Sequence, residues 1–219
     1  TGTLYYNGSN TNNLGRFMVK EITPPTGYNN NNSWSQEIAI DYNGKTATGT
    51  AQNAPFEGKM TVVKKDIKTG ETVTSSDTVF ALYEWSAAQN TWITPISINA
   101  NEYDGLVADG TGKNGYKLKQ ATAGVAGTYK TGTLYYNGSN TSNLGKFLVK
   151  EISSPYGYNL DSTWSQEITI DYHNKEISGE IENIPWRGKI TGIKKDQRTE
   201  NVVTAQDTTF AVYEWSEAT

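Results

Sequence analysis

Apolar and polar residues alternate in short runs along the whole chain. Met60-Thr-Val-Val-Lys64, Phe80-Ala-Leu-Tyr-Glu84 and Phe147-Leu-Val-Lys-Glu151 show the pattern, and Trp164–Asp171 and Glu176–Asn183 continue it. A period of two marks a strand with one face buried. Turn signals separate the runs at Thr69-Gly70, Asn114-Gly115, Asn137-Gly138 and Pro155-Tyr156-Gly157. Proline presets φ at the second position of such turns, and glycine closes them without a steric penalty. No stretch sustains a helical period. The pattern predicts an all-β chain folded as an antiparallel sandwich, with the Gly-, Thr- and Asn-rich region 90–144 as a long excursion from it.

The pattern also repeats. TGTLYYNGSN opens the chain at Thr1 and returns letter for letter at Thr131, and the offset of 130 holds along the rest. GRFMVKEI from Gly15 matches GKFLVKEI from Gly145, GKMTVVKKD from Gly58 matches GKITGIKKD from Gly188, and FALYEWS from Phe80 matches FAVYEWS from Phe210. Residues 1–89 and 131–219 are identical at 53 of 89 positions. A unit of this length is a domain rather than a solenoid repeat. The expected organisation is a complete repeat over 56–185, the C-terminal part of a preceding one over 1–55, and the N-terminal part of the next over 186–219.

Composition narrows the function classes. The net charge of −4 and the lack of a long basic run argue against nucleic acid as a partner. No apolar stretch approaches 18 residues and no signal-peptide pattern is present, so this segment is expected neither to span a membrane nor to direct its own export. Cysteine is absent, which leaves an exported β-protein to rely on its core or on a crosslink other than a disulfide. His173 is the only histidine and Asn43 stands in its place one repeat earlier. A histidine-based metal site or catalytic triad is therefore not expected, nor is any cofactor.

Alternation puts three polar residues on apolar faces. Lys64 follows Met60 and Val62, Glu151 follows Phe147 and Val149, and Asn183 follows Ile177, Gly179 and Ile181. The mirrored set is Lys194, Glu21 and Asn53. Glu84, on the face of Phe80 and Leu82, is a competing acid. Burial of such groups without partners costs several kcal/mol. Desolvation disfavours charge, and a lysine and a carboxylic acid can meet it by becoming neutral together. A neutral amine is a nucleophile, and a carboxylic acid can polarise a carboxamide and move protons. Attack of Lys64 on Asn183 with loss of ammonia would leave an amide, with Glu151 as acid and base. The plainer reading keeps Lys64 on the surface, Glu151 as its solvated ion-pair partner and Asn183 in a turn.

At these residues the chain resembles the Cna-B family, the SpaA-like or prealbumin-like domains of Gram-positive adhesins and pilins. The motifs are Lys64-Lys65-Asp66 with Thr69-Gly70, Phe80-Ala-Leu-Tyr83, Glu151-Ile-Ser-Ser-Pro155-Tyr-Gly157-Tyr158 and Asn183-Ile-Pro185. Glu21, Pro25, Gly27, Tyr28 and Asn53-Ala-Pro55 repeat the last two. The resemblance implies an Ig-like or prealbumin-like sandwich in tandem, on an extracellular cell-surface fibre, with a Lys–Asn isopeptide bond and a glutamate that promotes it. The implied partners are neighbouring repeats of the same polypeptide or fibre.

Other functions follow from other residues. The chain holds 14 Tyr and 6 Trp, and an adhesive module could present Trp92, Tyr135 or Tyr136 to a glycan or host protein. No nucleophile–base constellation or phosphate loop supports an enzyme acting on an external substrate. The Asn-Gly-Ser triplets at Asn7 and Asn137 read as turns before they read as glycosylation sites. Whether the partial repeats pair between chains, Lys194 of one with Asn53 and Glu21 of another, stays open.

Overall fold

The structure, a computed structural model, describes residues 2–8, 13–121, 126–138 and 142–215. Thr1, the ends of the repeated decapeptide, the Ser9 and Ser139 of the Asn-Gly-Ser triplets and Ser216 lie outside the described residues. The chain divides into two units, Thr1–Trp186 and Arg187–Thr219.

Apart from one 3-10 turn at Ala100–Glu102, the described regular elements are strands. In chain order they are β1 (Arg16–Lys20), β2 (Ser35–Ala39), β3 (Glu57–Asp66), β4 (Val79–Ser86), β5 (Thr91–Ile93), β6 (Leu106–Ala108) and β7 (Asn114–Lys117). There follow β8 (Lys119–Gln120), β9 (Thr128–Lys130), β10 (Leu134–Tyr135), β11 (Lys146–Ser153), β12 (Ser165–Thr169) and β13 (Lys175–Asn183). Where the alternation is strong, the predicted runs fall inside β3, β4, β11 and β13.

Strands β3 to β13 make two sheets. In one, β3 carries β13 on one edge and β10 then β9 on the other, with β8 beyond β9. In the other, β11 lies between β12 and β4, and β7, β6 and β5 extend the far edge of β4. The inward faces meet in one core: Met60, Val62, Tyr129 and Ile181 from the first sheet, Phe80, Leu82, Phe147, Val149 and Ile168 from the second. On β3, β4, β11 and β13 this is the apolar face read from the alternation.

Two features differ from expectation. The pairing is antiparallel except between β3 and β13, which run parallel over their whole length, from Gly58 opposite Lys175 to Asp66 opposite Asn183. Turn signals specify only neighbours joined by hairpins, so nothing local announces a pair of strands so far apart in sequence. The region 90–144 is also no mere excursion. It supplies strands to both sheets, and Trp92 and Val107 cover Ala81, Tyr83 and Leu148 on the outer face of β4 and β11. Its apolar residues stand singly among Gly, Thr and Asn, which hides a strand period.

The hairpin β1–β2 has the register of β11–β12 shifted by 130: Arg16 faces Ala39 as Lys146 faces Thr169. The second unit, by itself, has no strand among its described residues. It holds the tight turn from Asp196 to Val203, where Val203 N donates to Lys194 O as Val73 N does to Lys64 O.

At Gly58 the β3–β13 pair leaves no room for a side chain. A Cβ there would lie 2.7 Å from the Lys175 carbonyl oxygen and 3.2 Å from Ile170 Cγ1. At Gly179 it would meet Gln166, whose side chain can swing away. Gly58→Ala is expected to lower stability by about 1–3 kcal/mol in urea denaturation, whereas Gly179→Ala is expected to stay within about 0.5 kcal/mol of the parent.

Candidate functional site

Strand β3 carries Lys64 into the core end of the first sheet, and the parallel register sets Ile181 beside it with Asn183 one step further along the same face. Glu151 arrives from the facing sheet near the end of β11, opposite Phe80 of β4. Lys64, Glu151 and Asn183 are all buried, Lys64 and Asn183 at 0% and 1% exposure. The Lys64 amine donates to Glu151 Oε1. Asn183 Nδ2 donates to Glu151 Oε2 at 3.0 Å and to the Asn159 carbonyl at 2.8 Å. A backbone carbonyl only accepts, so Asn159 fixes which end of the carboxamide is nitrogen. Asn183 Oδ1 has no hydrogen-bond partner among the described residues.

The chemistry of the trio follows from what surrounds it. Desolvation pushes Lys64 below the ordinary lysine range; the hydrogen bond and charge of Glu151 and the charge of Asp161 oppose this without cancelling it. The amine also lies 5.9 Å from the centre of the Phe80 ring. Glu151 touches both the Lys64 and the Asn183 side-chain nitrogens. Next to the trio, Tyr158 OH donates to Asp66 Oδ2 at 2.8 Å, and the amides of Lys68 and Thr69 donate to Asp66 Oδ1. These bonds, Tyr158 first, hold the Asp66 carboxyl below its usual range. The Lys-x-Asp and Pro-x-Gly-Tyr motifs are thus joined through Asp66 and Tyr158.

Glu21 and Asn53 are also brought together. Asn53 Nδ2 donates to Glu21 Oε2 at 2.6 Å and to Asn29 O at 2.9 Å, the arrangement of Asn183, Glu151 and Asn159 over again. Both side chains are half-buried. Lys194, in the second unit, is exposed and donates to Thr208 Oγ1 at 3.1 Å. Glu84 is fully buried but faces Phe147, four residues along β4 from Phe80, which places it roughly 13 Å from Glu151. It accepts from the amides of Ile96 and Ser97 and from Asn143 Nδ2, so it anchors the region 90–144 and takes no part in the trio.

Sequence reasoning missed Asn143. Its Oδ1 accepts from Gly145 N at 2.7 Å and holds Leu144 at a φ of 52°. Asn13 does the same for Gly15 and Leu14, so the recurring Asn-Leu-Gly triplet was the available signal. Two of the three candidate ligand-binding aromatics pack against other rings. Trp92 lies edge-on to Trp85 at 5.2 Å and Tyr136 edge-on to Tyr28 at 5.8 Å, while Tyr135 is 37% exposed.

Neither a family model nor a curated protein sequence matches this chain. Solved structures do. The Bacillus anthracis TIE protein matches over 78% of this chain and 25% of its own length, with a TM-score of 0.50 and 19% identity. The likeness is one of fold. The full-length major pilin SpaD from Corynebacterium diphtheriae matches 62% of this chain and 32% of that one, at TM-score 0.39 and 22% identity. GBS52, the minor pilin of Streptococcus agalactiae, matches 85% of this chain and 66% of that one, at TM-score 0.39 and 15% identity. The chain therefore spans about a quarter to a third of the length of the first two.

The Asp66–Tyr158 bond gives a pH-dependent outcome. A carboxyl with a depressed folded pKa contributes stability above its unfolded value, near 3.9, and loses it as pH falls through the folded value. Tyr158→Phe is expected to lower the urea midpoint at pH 7, and the deficit should narrow as pH falls below about 4. A deficit that stays constant with pH would assign the loss to packing.

Proposed function

We propose that the chain is a load-bearing segment of an extracellular surface fibre of a Gram-positive bacterium, each complete repeat locked by an amide between its first and last strands. One observation carries this reading: Glu151 bridges the Lys64 amine and the Asn183 carboxamide nitrogen inside the buried core. The Cna-B-like order of motifs supports it.

The chemistry is directed at the chain itself. A proton passes from the Lys64 ammonium to Glu151 along their hydrogen bond, leaving a neutral amine. Its lone pair attacks Asn183 Cγ, and a Nζ–Cγ bond forms. Glu151 then returns that proton to Nδ2, the Cγ–Nδ2 bond breaks and ammonia departs, and Glu151 takes up the second Nζ proton as the amide forms, ending protonated beside it. Nothing is oxidised or reduced. The Asn159 carbonyl keeps the leaving nitrogen turned toward the acid that must protonate it.

The amide would close most of 56–185 into a loop, which by chain entropy adds about 4–5 kcal/mol. Its mechanical effect depends on the parallel pair. Tension applied at Glu57 and at Asn183 loads β3 and β13 in shear, so their hydrogen bonds resist together. With the amide in place, tension reaching Lys64 crosses directly to Asn183, and the strands between carry none. Three contacts tie the repeat to the preceding segment. Phe56 N donates to Gly27 O at 2.7 Å, Asn29 Nδ2 meets His173 Nδ1 at 3.2 Å, and the Tyr136 ring lies so close to Gly27 that a Cβ there would sit 2.2 Å from it.

Intact mass under denaturing conditions tests the amide. The single-chain species is expected to be short by one ammonia, whereas Lys64→Ala, Asn183→Ala and Glu151→Ala should each retain full mass. Glu84→Gln should still lose the ammonia. Full mass in the parent would refute the crosslink, and loss unaffected by Glu151→Ala would refute the role of the acid.

A further inference from the structure

The two sheets of 56–185 turn unlike faces to solvent. On the first, β13 sends Glu176, Glu180 and Glu182 outward, all exposed, and Lys65 answers Glu180 at 2.9 Å. On the second, the outward positions of β11 and β7 hold Lys146, Lys150 and Lys117, and Glu167 of β12 is the one carboxylate at the outward positions of these strands. The three lysines have no ion-pair partner among the described residues. In a chain of net charge −4, this is a local excess of positive charge on one flank.

Aromatic rings lie among these lysines. Tyr83 and Trp85 face outward from β4, and Trp92 of β5 pairs with Trp85, the two indoles edge to face with centres 5.2 Å apart. Lys146 Nζ stands 5.8 Å from the centre of the Trp85 ring, and Lys150 Nζ 5.8 Å from that of Tyr83. The rings hold the aliphatic stems down, so the cations are positioned before any ligand arrives. Lys113 Nζ donates to the Trp92 carbonyl at 2.6 Å and to Thr91 Oγ1 at 3.0 Å, adding a fourth cation at the rim. Trp85 and Trp92 are half-buried, while Tyr83 and Leu148 lie buried beneath.

Spacing selects the partner. Lys146 and Lys150 stand four residues apart on one strand, roughly 13 Å. Ala81 separates Lys150 from Lys117, which sets those two roughly 10 Å apart across the strands. A DNA duplex, with a charge about every 1.7 Å, would leave most of its phosphates unanswered. A membrane would find no fully exposed apolar side chain at these outward positions to bury. A linear polysaccharide with a carboxylate on alternate sugars offers sparse charges with flat C–H ring faces between them, and an indole packs against such a face. We propose that the outward face of the second sheet binds an acidic polysaccharide of this kind, its carboxylates on Lys146, Lys150 and Lys117 and its sugar rings on Trp85 and Trp92. The site depends neither on the amide nor on residues outside 56–185.

The probe is a polymer alternating glucuronate with N-acetylglucosamine, and the control is the same polymer with its carboxylates reduced to alcohols. Calorimetry on the full chain at low salt is expected to show binding of the acidic polymer that weakens as salt rises and is at least about tenfold weaker for the reduced one. Lys146→Ala with Lys150→Ala should weaken binding about tenfold and flatten its salt dependence, at an unchanged urea midpoint. Trp92→Leu should weaken it about tenfold with the salt dependence kept, and Trp92→Phe, which retains a ring face, should restore most of the loss. Glu176→Gln with Glu182→Gln, on the other sheet, should stay within about twofold of the parent. No binding by the parent, or equal binding of the reduced polymer, overturns the proposal. So does equal or tighter binding of duplex DNA or of phosphatidylserine vesicles at the same charge concentration, which would make the face a general anion surface. Binding that survives the double lysine substitution places the ligand elsewhere and overturns it as well.

Discussion

A lysine amine sealed from water sets the terms for one whole end of this sandwich. An unpaired ammonium there would cost several kcal/mol, so every element near it is arranged to answer it. β11 brings a carboxyl across from the facing sheet, and β13 brings a carboxamide along the same sheet. The Asn159 carbonyl holds that carboxamide in one orientation, and Asp66 and Tyr158 tie the flanking loops together beside it. None of these groups alone is suited to the interior. Together they leave only Asn183 Oδ1 unpaired, on the carbon that an amine would attack.

How much of this the sequence disclosed depends on the range over which each feature is decided. The faces of β3, β11 and β13 were legible, because a residue's side of a strand depends only on its parity. That parity placed Lys64, Glu151 and Asn183 inward before any contact was known. The parallel partnership of β3 and β13 was not legible, since it is decided by the core between them and by no turn. The region 90–144 was misjudged for a related reason. Tyr103, Tyr129 and Leu134 are buried one at a time, and an isolated apolar residue carries no period. Glu84 shared a face with Phe80 yet sits elsewhere, because parity says nothing of position along the strand.

The recurrence at an interval of 130 separates local from global causes. β1–β2 keeps the register of β11–β12, Asn13 caps its turn as Asn143 does, and Glu21 binds Asn53 as Glu151 binds Asn183. The surroundings differ: Met18 is 56% exposed while Leu148 is buried. The hairpin and its carboxyl–carboxamide clasp therefore follow from the local sequence. Exclusion of water follows from the other strands. Lys64 and Lys194 make the same point, with identical neighbours Lys65-Asp66 and Lys195-Asp196 but opposite solvation.

The direction of the last strand has one more consequence. Had β13 run antiparallel to β3, the chain would leave the domain at the end where it came in, and successive domains would crowd side by side. Running parallel, it departs at the opposite end. The 10 residues of β3 put roughly 33 Å between entry and exit, so any chain in which such a unit recurred would lengthen by at least that much with each copy.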